Sequence, residues 1–372
     1  MRRLLISLHK YAGLILGLVL SVTGISGSLI VFDRELDEVI DPATAEFEPS
    51  SVVGSLDTAL ANASAAVGNG EAPTRIALGR NSAAPHIIRF PTAAGDAGPT
   101  EVTVDPASGA VTSVRVWGEY PVTWIYRLHY SLLSGHGGEI TVGILGIALL
   151  FFCISGVIIW WPRTGFKSGR HMVQAFKVRW KGTVAILNYD LHKLLGILSF
   201  PILGLIALTG IELVWHEPVE GMVAAVLPVI EEPSPISVIR NREATVDDVR
   251  DQALAVFPGS RIARIYLPRS DTAPYTVSMM HETEAWQEYG ASQVWVDQYS
   301  GEVLETWDSR TLPAGNTLLT WMFPLHNGDG LGLAGRVAVF IAGLLPAFFF
   351  GSGFYLWYRR QPFARRPAAG QL

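Results

Sequence analysis

The chain has 372 residues, 49% hydrophobic and 16% charged, against the roughly 25% charge of an ordinary soluble domain, so a single soluble globule is excluded as the natural reading. Its 28 Lys and Arg against 33 Asp and Glu give a formal charge of −5, which supplies no general attraction for phosphate backbones and argues for no nucleic-acid partner. The one cysteine, Cys153, rules out an internal disulfide, a CxxCH haem attachment and an iron–sulfur site, leaving other side chains to hold any metal or cofactor.

Crossing about 30 Å of hydrocarbon takes roughly 20 apolar residues, and four stretches without Asp, Glu, Lys or Arg approach or exceed that length: 11–32, 140–162, 194–211 and 337–358. In chain order, residues 1–32 are expected as transmembrane helix 1. Arg2 and Arg3 precede its apolar run as in a signal peptide, but the run exceeds a normal h-region and no small-x-small site follows, so it reads as a retained anchor. Residues 33–127 read as a first extramembrane α+β module, with a helical stretch at 55–67 and two strands within 101–116. Their turn, Asp105-Pro106-Ala107-Ser108-Gly109, ends in the glycine that a tight hairpin needs for positive φ. Residues 128–162 are an interfacial segment and transmembrane helix 2, and 163–189 form a loop rich in Lys and Arg and free of acid. Residues 190–215 are transmembrane helix 3. Residues 216–324 are a second module, helical at 245–257 and strand-like at 261–267, 275–280 and 293–307, with a turn at Asp297-Gln298-Tyr299-Ser300-Gly301. Residues 325–358 are a second interfacial segment and transmembrane helix 4, and 359–372 a basic tail. The basic N-terminus, loop and tail are expected in the cytoplasm by the positive-inside rule, with both modules in the periplasm or cell exterior. That predicts a multi-pass protein of a bacterial inner membrane in contact with lipid.

The chain also aligns with itself. An offset of 183 pairs Leu8-His9-Lys10 with Leu191-His192-Lys193, Gly13 with Gly196, and Ser26-Gly27 with Thr209-Gly210. An offset of 197 pairs Leu128-His129 with Leu325-His326, Ser155-Gly156 with Ser352-Gly353, and Trp160 with Trp357. The expected fold is therefore membrane α-helical: four transmembrane helices as two parallel repeats about a pseudo-two-fold axis along the membrane normal, each carrying one α+β module.

Of nine histidines, only His9 with His192 and His129 with His326 occupy equivalent places. The first pair begins the two outward-running helices; the second precedes the two inward-running ones. An iron on the two-fold axis would take one imidazole from each repeat, a common ligation of b-type haem. Gly13 and Gly196 lie four residues beyond their histidines on the same helix face, where a missing side chain lets a flat macrocycle approach. Gly27 and Gly210 lie eighteen residues beyond, five turns and about 27 Å along that face. Two haems stacked along the axis follow, one per leaflet, with Gly156 and Gly353 bracketing the inner one. Taken singly, each histidine reads equally well as an interfacial polar residue and each glycine as a packing residue; the symmetric set favours ligation.

Among the remaining candidates, His136 is weaker, either a ligand swap or a substrate contact, because Leu333 stands at its equivalent position. His216 is a secondary candidate near the outer haem, though an interfacial role suits it better. Glu212, at the outer end of a span, is expected to touch the headgroups rather than carry protons. His86, His171 and His281 are expected to be solvated. Trp117, Trp124, Trp160, Trp161, Trp215, Trp321 and Trp357 cluster near predicted boundaries as an aromatic belt. No GxGxxG before a helix, GxxxxGK[ST], HExxH or GxSxG is present, and two imidazoles per site fall short of the usual four ligands of zinc or copper.

These residues, with Trp357-Tyr358-Arg359-Arg360 at the end of the last span, resemble the PepSY-associated transmembrane proteins over essentially the whole chain, and in functional type the FoxB-like ferric-siderophore reductases. The Asp-Pro-x-Ser-Gly turn resembles the PepSY module signature; the second copy departs from it with Gln298. The resemblance implies two b-type haems with His9, His192, His129 and His326 as axial ligands, and a haem-dependent oxidoreductase passing electrons to a ferric siderophore in the periplasm. The electron donor, a quinol or a cytoplasmic reductant, is unidentified. Two other readings stand beside it: a general quinol-linked cytochrome b, and a non-redox PepSY membrane protein modulating periplasmic proteases.

Overall fold

The computed structural model describes residues 1–361 apart from 51, 53, 163–168, 242, 283 and 285–288, and omits the side chains of 169–172. The chain opens with α1 (Arg2–Ile30), α2 (Asp33–Ile40) and α3 (Leu56–Val67). A meander of β1 (Arg75–Ala77), β2 (His86–Arg89), β3 (Thr100–Val104) and β4 (Val111–Val116) leads through α4 (Pro121–Ser131) into α5 (Gly135–Trp160). After α6 (Gly169–Phe176), α7 (Val184–Val214) runs almost directly into α8 (His216–Ala224), and α9 (Val246–Val256) precedes the second meander. That meander is β5 (Arg261–Tyr266), β6 (Tyr275–Met280), β7 (Ser292–Val296) and β8 (Val303–Trp307). The last helices are α10 (Ala314–Thr320), α11 (Met322–Asn327) and α12 (Gly332–Tyr358).

Helices α1, α5, α7 and α12 are long and apolar enough to cross a membrane. They outrun the apolar stretches of the sequence because their polar end turns stay helical. His9 and His192 consequently lie inside α1 and α7 rather than at their starts. Helix α1 packs along α12 and α5 along α7; lesser contacts of α1 with α5 and of α7 with α12 close a ring, with α1 diagonal to α7. Small residues permit the close α1–α12 approach: a Cβ on Gly24 would run into the Gly343 carbonyl oxygen, and Ser28 Oγ donates to the Phe340 carbonyl at 2.8 Å.

The two expected small modules are one antiparallel sheet, ordered β4-β3-β2-β1-β5-β6-β7-β8. They join at their first strands, where Arg75 pairs with Tyr266, Ile76 with Ile265 and Ala77 with Arg264. Burial drives the union. Ile76, Ile88 and Val102 from one half and Ile265, Val277 and Val294 from the other are fully buried in one core beneath α3 and α9. The N-termini of those two helices also cap each other. Asp247 accepts from the Leu56 N–H and Ser55 Oγ, and Asp57 accepts from the N–H groups of Val246 and Asp247. Both hairpin turns are Asx turns closed by glycine, with Asp105 accepting from the Ala107 N–H, Asp297 from the Tyr299 N–H, and φ of 69° at Gly109 and 73° at Gly301.

Three expected boundaries cut through helical structure, the one at 189/190 leaving the first residues of α7 in the expected loop. Helix α4 starts at Pro121, so a division at 127/128 severs His129 from its own helix; a division at 324/325 likewise splits α11. The interfacial segments are packed helices: α4 lies against α1 and α5, and α11 against α7.

Candidate functional site

Two pairs of histidines face the interior of the bundle at opposite ends. At the end away from the sheet, His9 of α1 and His192 of α7 come from diagonally opposed helices and line one cavity of about 510 Å³. Gly13, Gly196, Gly156 and Gly353 line it too. A Cβ at Gly13 or Gly196 would reach only a phenylalanine ring, at 3.9 Å from Phe152 and 4.0 Å from Phe349, so these positions leave open space, as a flat group lying against the helix requires. Phe152 meets His9 edge-on at 5.3 Å between centroids, and Phe349 meets His192 at 5.2 Å. The rest of the wall is largely apolar, with Leu14, Leu20, Leu149 and Leu203 among its residues, as expected of a cofactor pocket.

At the sheet end, the rings of His129 on α4 and His326 on α11 lie 6.2 Å apart between centroids. Two metal–imidazole bonds of about 2 Å to one shared ion, plus the two ring radii, give roughly 6 Å, so the spacing fits one metal between them. Gly27 and Gly210 make room for the outer histidines. A Cβ on Gly27 would lie 2.6 Å from His129 Cε1, and one on Gly210 3.1 Å from His326 Cε1. These glycines seat the imidazoles, because α4 and α11 lean onto α1 and α7 there.

Each ring has an acceptor at Nδ1, which leaves Nε2 as the nitrogen with a free lone pair. His129 Nδ1–H donates to the Thr23 carbonyl at 2.9 Å. The Thr209 hydroxyl donates to the Leu205 carbonyl at 2.9 Å, so its oxygen is free to accept from His326 Nδ1–H at 3.0 Å. His9 Nδ1 meets Ser155 Oγ at 2.7 Å and His192 Nδ1 meets Ser352 Oγ, while each serine points its own proton toward a carbonyl one turn back. In every case ring and acceptor belong to the same half of the chain. Thr23, Ser155, Thr209 and Ser352 were missed as site residues, although a hydroxyl directly before Gly156, Gly210 and Gly353 is visible in the sequence. Between the two ends, Leu203, Ala342 and Cys153 form a small apolar core.

Several expectations fail here. His136 is outside the bundle and no ligand within it: the chain reverses between α4 and α5 through left-handed Leu132 and Leu133, and the His136 side chain is 85% exposed near Glu139, a placement that bears only on the ligand-swap reading and not on a substrate contact. His216 Nδ1 bonds Glu212, one turn back on the continuing helical path. Glu212 is therefore buried and partnered rather than at the headgroups. Nor are His86 and His281 solvated. His86 Nδ1 accepts the Gly79 N–H at 2.9 Å, and burial pushes its pKa down to about 4; His281 is buried edge-on against Phe257. The His171 side chain lies outside the described residues.

The sequence family described as PepSY-associated TM region matches residues 6–360 of this chain. No curated protein matches it.

Proposed function

We propose, from the premise that this chain belongs to the PepSY-associated TM family, that it is a di-haem b-type membrane reductase. It would pass electrons across a bacterial inner membrane to ferric siderophores, with its termini in the cytoplasm and the sheet in the periplasm. The observation that carries the reading is the pair of facing histidines at each end of the bundle: His129 and His326 at 6.2 Å between centroids, His9 and His192 lining one open cavity. The loop before α7 and the tail after α12 hold ten basic residues and no acidic one, which supports the orientation. Haem bound at both ends would supply one-electron Fe(III)/Fe(II) chemistry.

The protein's own residues do the rest. Thr23, Thr209, Ser155 and Ser352 hold the imidazoles in the tautomer that presents Nε2 and keep their basicity high. The apolar walls exclude water and stabilise the reduced state of an enclosed centre relative to an exposed one. The substrate is a chelated Fe(III). One electron converts it to Fe(II), whose bonds to the hard anionic oxygens of hydroxamate or catecholate are weaker, so the metal dissociates.

The test is spectroscopic, then kinetic. Purified protein should carry about two low-spin b-type haems per chain, His9→Ala should lose one and His129→Ala the other. Colourless folded protein sinks the reading in favour of a non-redox membrane protein. Rapid reoxidation of the reduced protein by ferric chelates supports siderophore reduction; rapid reoxidation by quinone but by no chelate assigns it instead to a quinol-linked cytochrome b.

A further inference from the structure

The face of the sheet turned away from its core is not inert. Strand alternation sends Ile76, Ile88 and Ile265 into the core and leaves Arg75, Arg89 and Arg264 on the other face. That face, with α2 and α4, lines an open-sided cavity of about 350 Å³. Among the described residues, seven arginines and four carboxylates line it, an excess of positive charge in a chain whose net charge is −5.

Part of that charge is neutralised locally. Arg89 pairs with buried Glu101, which also accepts from Tyr120 Oη, and Arg115 forms two bonds to Asp37. Arg75 and Arg264 are different. Both lie against aromatic rings, which are neutral partners: Arg75 is 5.8 Å from the Tyr266 ring centroid and Arg264 3.2 Å over the Tyr289 ring. Among the described residues the buried Nε of each has no hydrogen-bond partner. Burial and the neighbouring Arg264 and Arg89 charges pull the Arg75 pKa down, as expected where like charges crowd without counter-ions. Guanidinium donors left open toward a cleft match the paired oxygens of a carboxylate.

We propose that this cavity binds a small multi-carboxylate anion on Arg75 and Arg264. Tyr126 lines the same cavity on α4, one turn before His129, so a ligand there sits beside the helix that bears the outer histidine. Resting on the reading of the preceding subsection, the ferric chelates served are then those of net negative charge, and cationic ones are repelled.

Binding is tested without redox chemistry, by titrating the oxidised full-length holoprotein in nanodiscs of neutral lipid with gallium(III) citrate. Metal-free citrate, inorganic phosphate and a cationic gallium trihydroxamate serve as comparison probes. Gallium citrate and citrate should bind, with affinity falling as salt rises, and the trihydroxamate should not. Arg264→Gln should weaken citrate binding about tenfold. So should Ala77→Glu, which keeps every arginine and sets a carboxylate opposite Arg264 in the strand register. Unchanged binding in both variants overturns the proposal, as do equal affinity for the cationic chelate, phosphate binding as tight as citrate, or displacement of citrate by nanodiscs of anionic lipid. A protein that binds citrate but lacks haem, or fails to reduce its ferric complex, refutes the redox reading and leaves this site standing.

Discussion

At the scale of single residues, the bundle makes a sharp distinction between its glycines. Gly27 lies so near His129 that any side chain must push the ring, whereas the nearest neighbour of a Cβ at Gly13 is at ordinary contact distance. Gly27→Ala is therefore expected to lose the haem at the sheet end and keep the other, read as haem per chain and by the spectrum of the remaining centre. Gly13→Ala should fold with unchanged thermal stability, and any haem it loses reports crowding by the bound group itself. Retention of both haems in Gly27→Ala would refute the seating role. The histidines were legible because an internal repeat singles out four of nine, and Gly13 and Gly196 because their spacing follows the helical period. The seating role of Gly27 was not, since it depends on the angle at which α4 leans on α1, and a one-dimensional pattern does not contain angles. The Glu212–His216 pair escaped for a related reason: an i, i+4 contact needs helical continuity across Trp215, where the sequence suggested a membrane boundary.

At the scale of elements, mutual capping ties α3 to α9. Each helix begins with unpaired N–H groups, and each satisfies part of the need with the other's aspartate. Asp57→Ala removes two acceptors from α9 at once and is expected to cost about 1–2 kcal/mol, measured as a lowered midpoint of thermal or urea unfolding of the extramembrane part. No change in that midpoint would mean water replaces the aspartate at no cost. The helices themselves were legible, because Ser55 and Thr245 are ordinary N-cap residues before apolar periodicity. Their contact was not, as Asp57 and Asp247 read equally well as acidic first-turn residues facing solvent. Strand β1 was invisible for a simpler cause: three residues give too short an alternation to register as a strand.

At the scale of the whole molecule, the pairing of β1 with β5 makes one cooperative body of what the sequence presented as two modules. Ile76→Ala, at the fully buried centre of that junction, is expected to destabilise by about 2–5 kcal/mol. Hydrogen exchange should then show both meanders losing protection together; loss confined to β1–β4 would mean that the halves fold independently. The union also has a bearing on biosynthesis. Residue 76 meets residue 265 only after two intervening helices, α5 and α7, have been threaded into the bilayer, so a newly made first half must wait with an open strand edge and half a core. The interval between the two halves leaving the ribosome is the period in which this polypeptide is most exposed to proteases and to pairing with the wrong neighbour, and slowing translation between residues 116 and 261 would lengthen it.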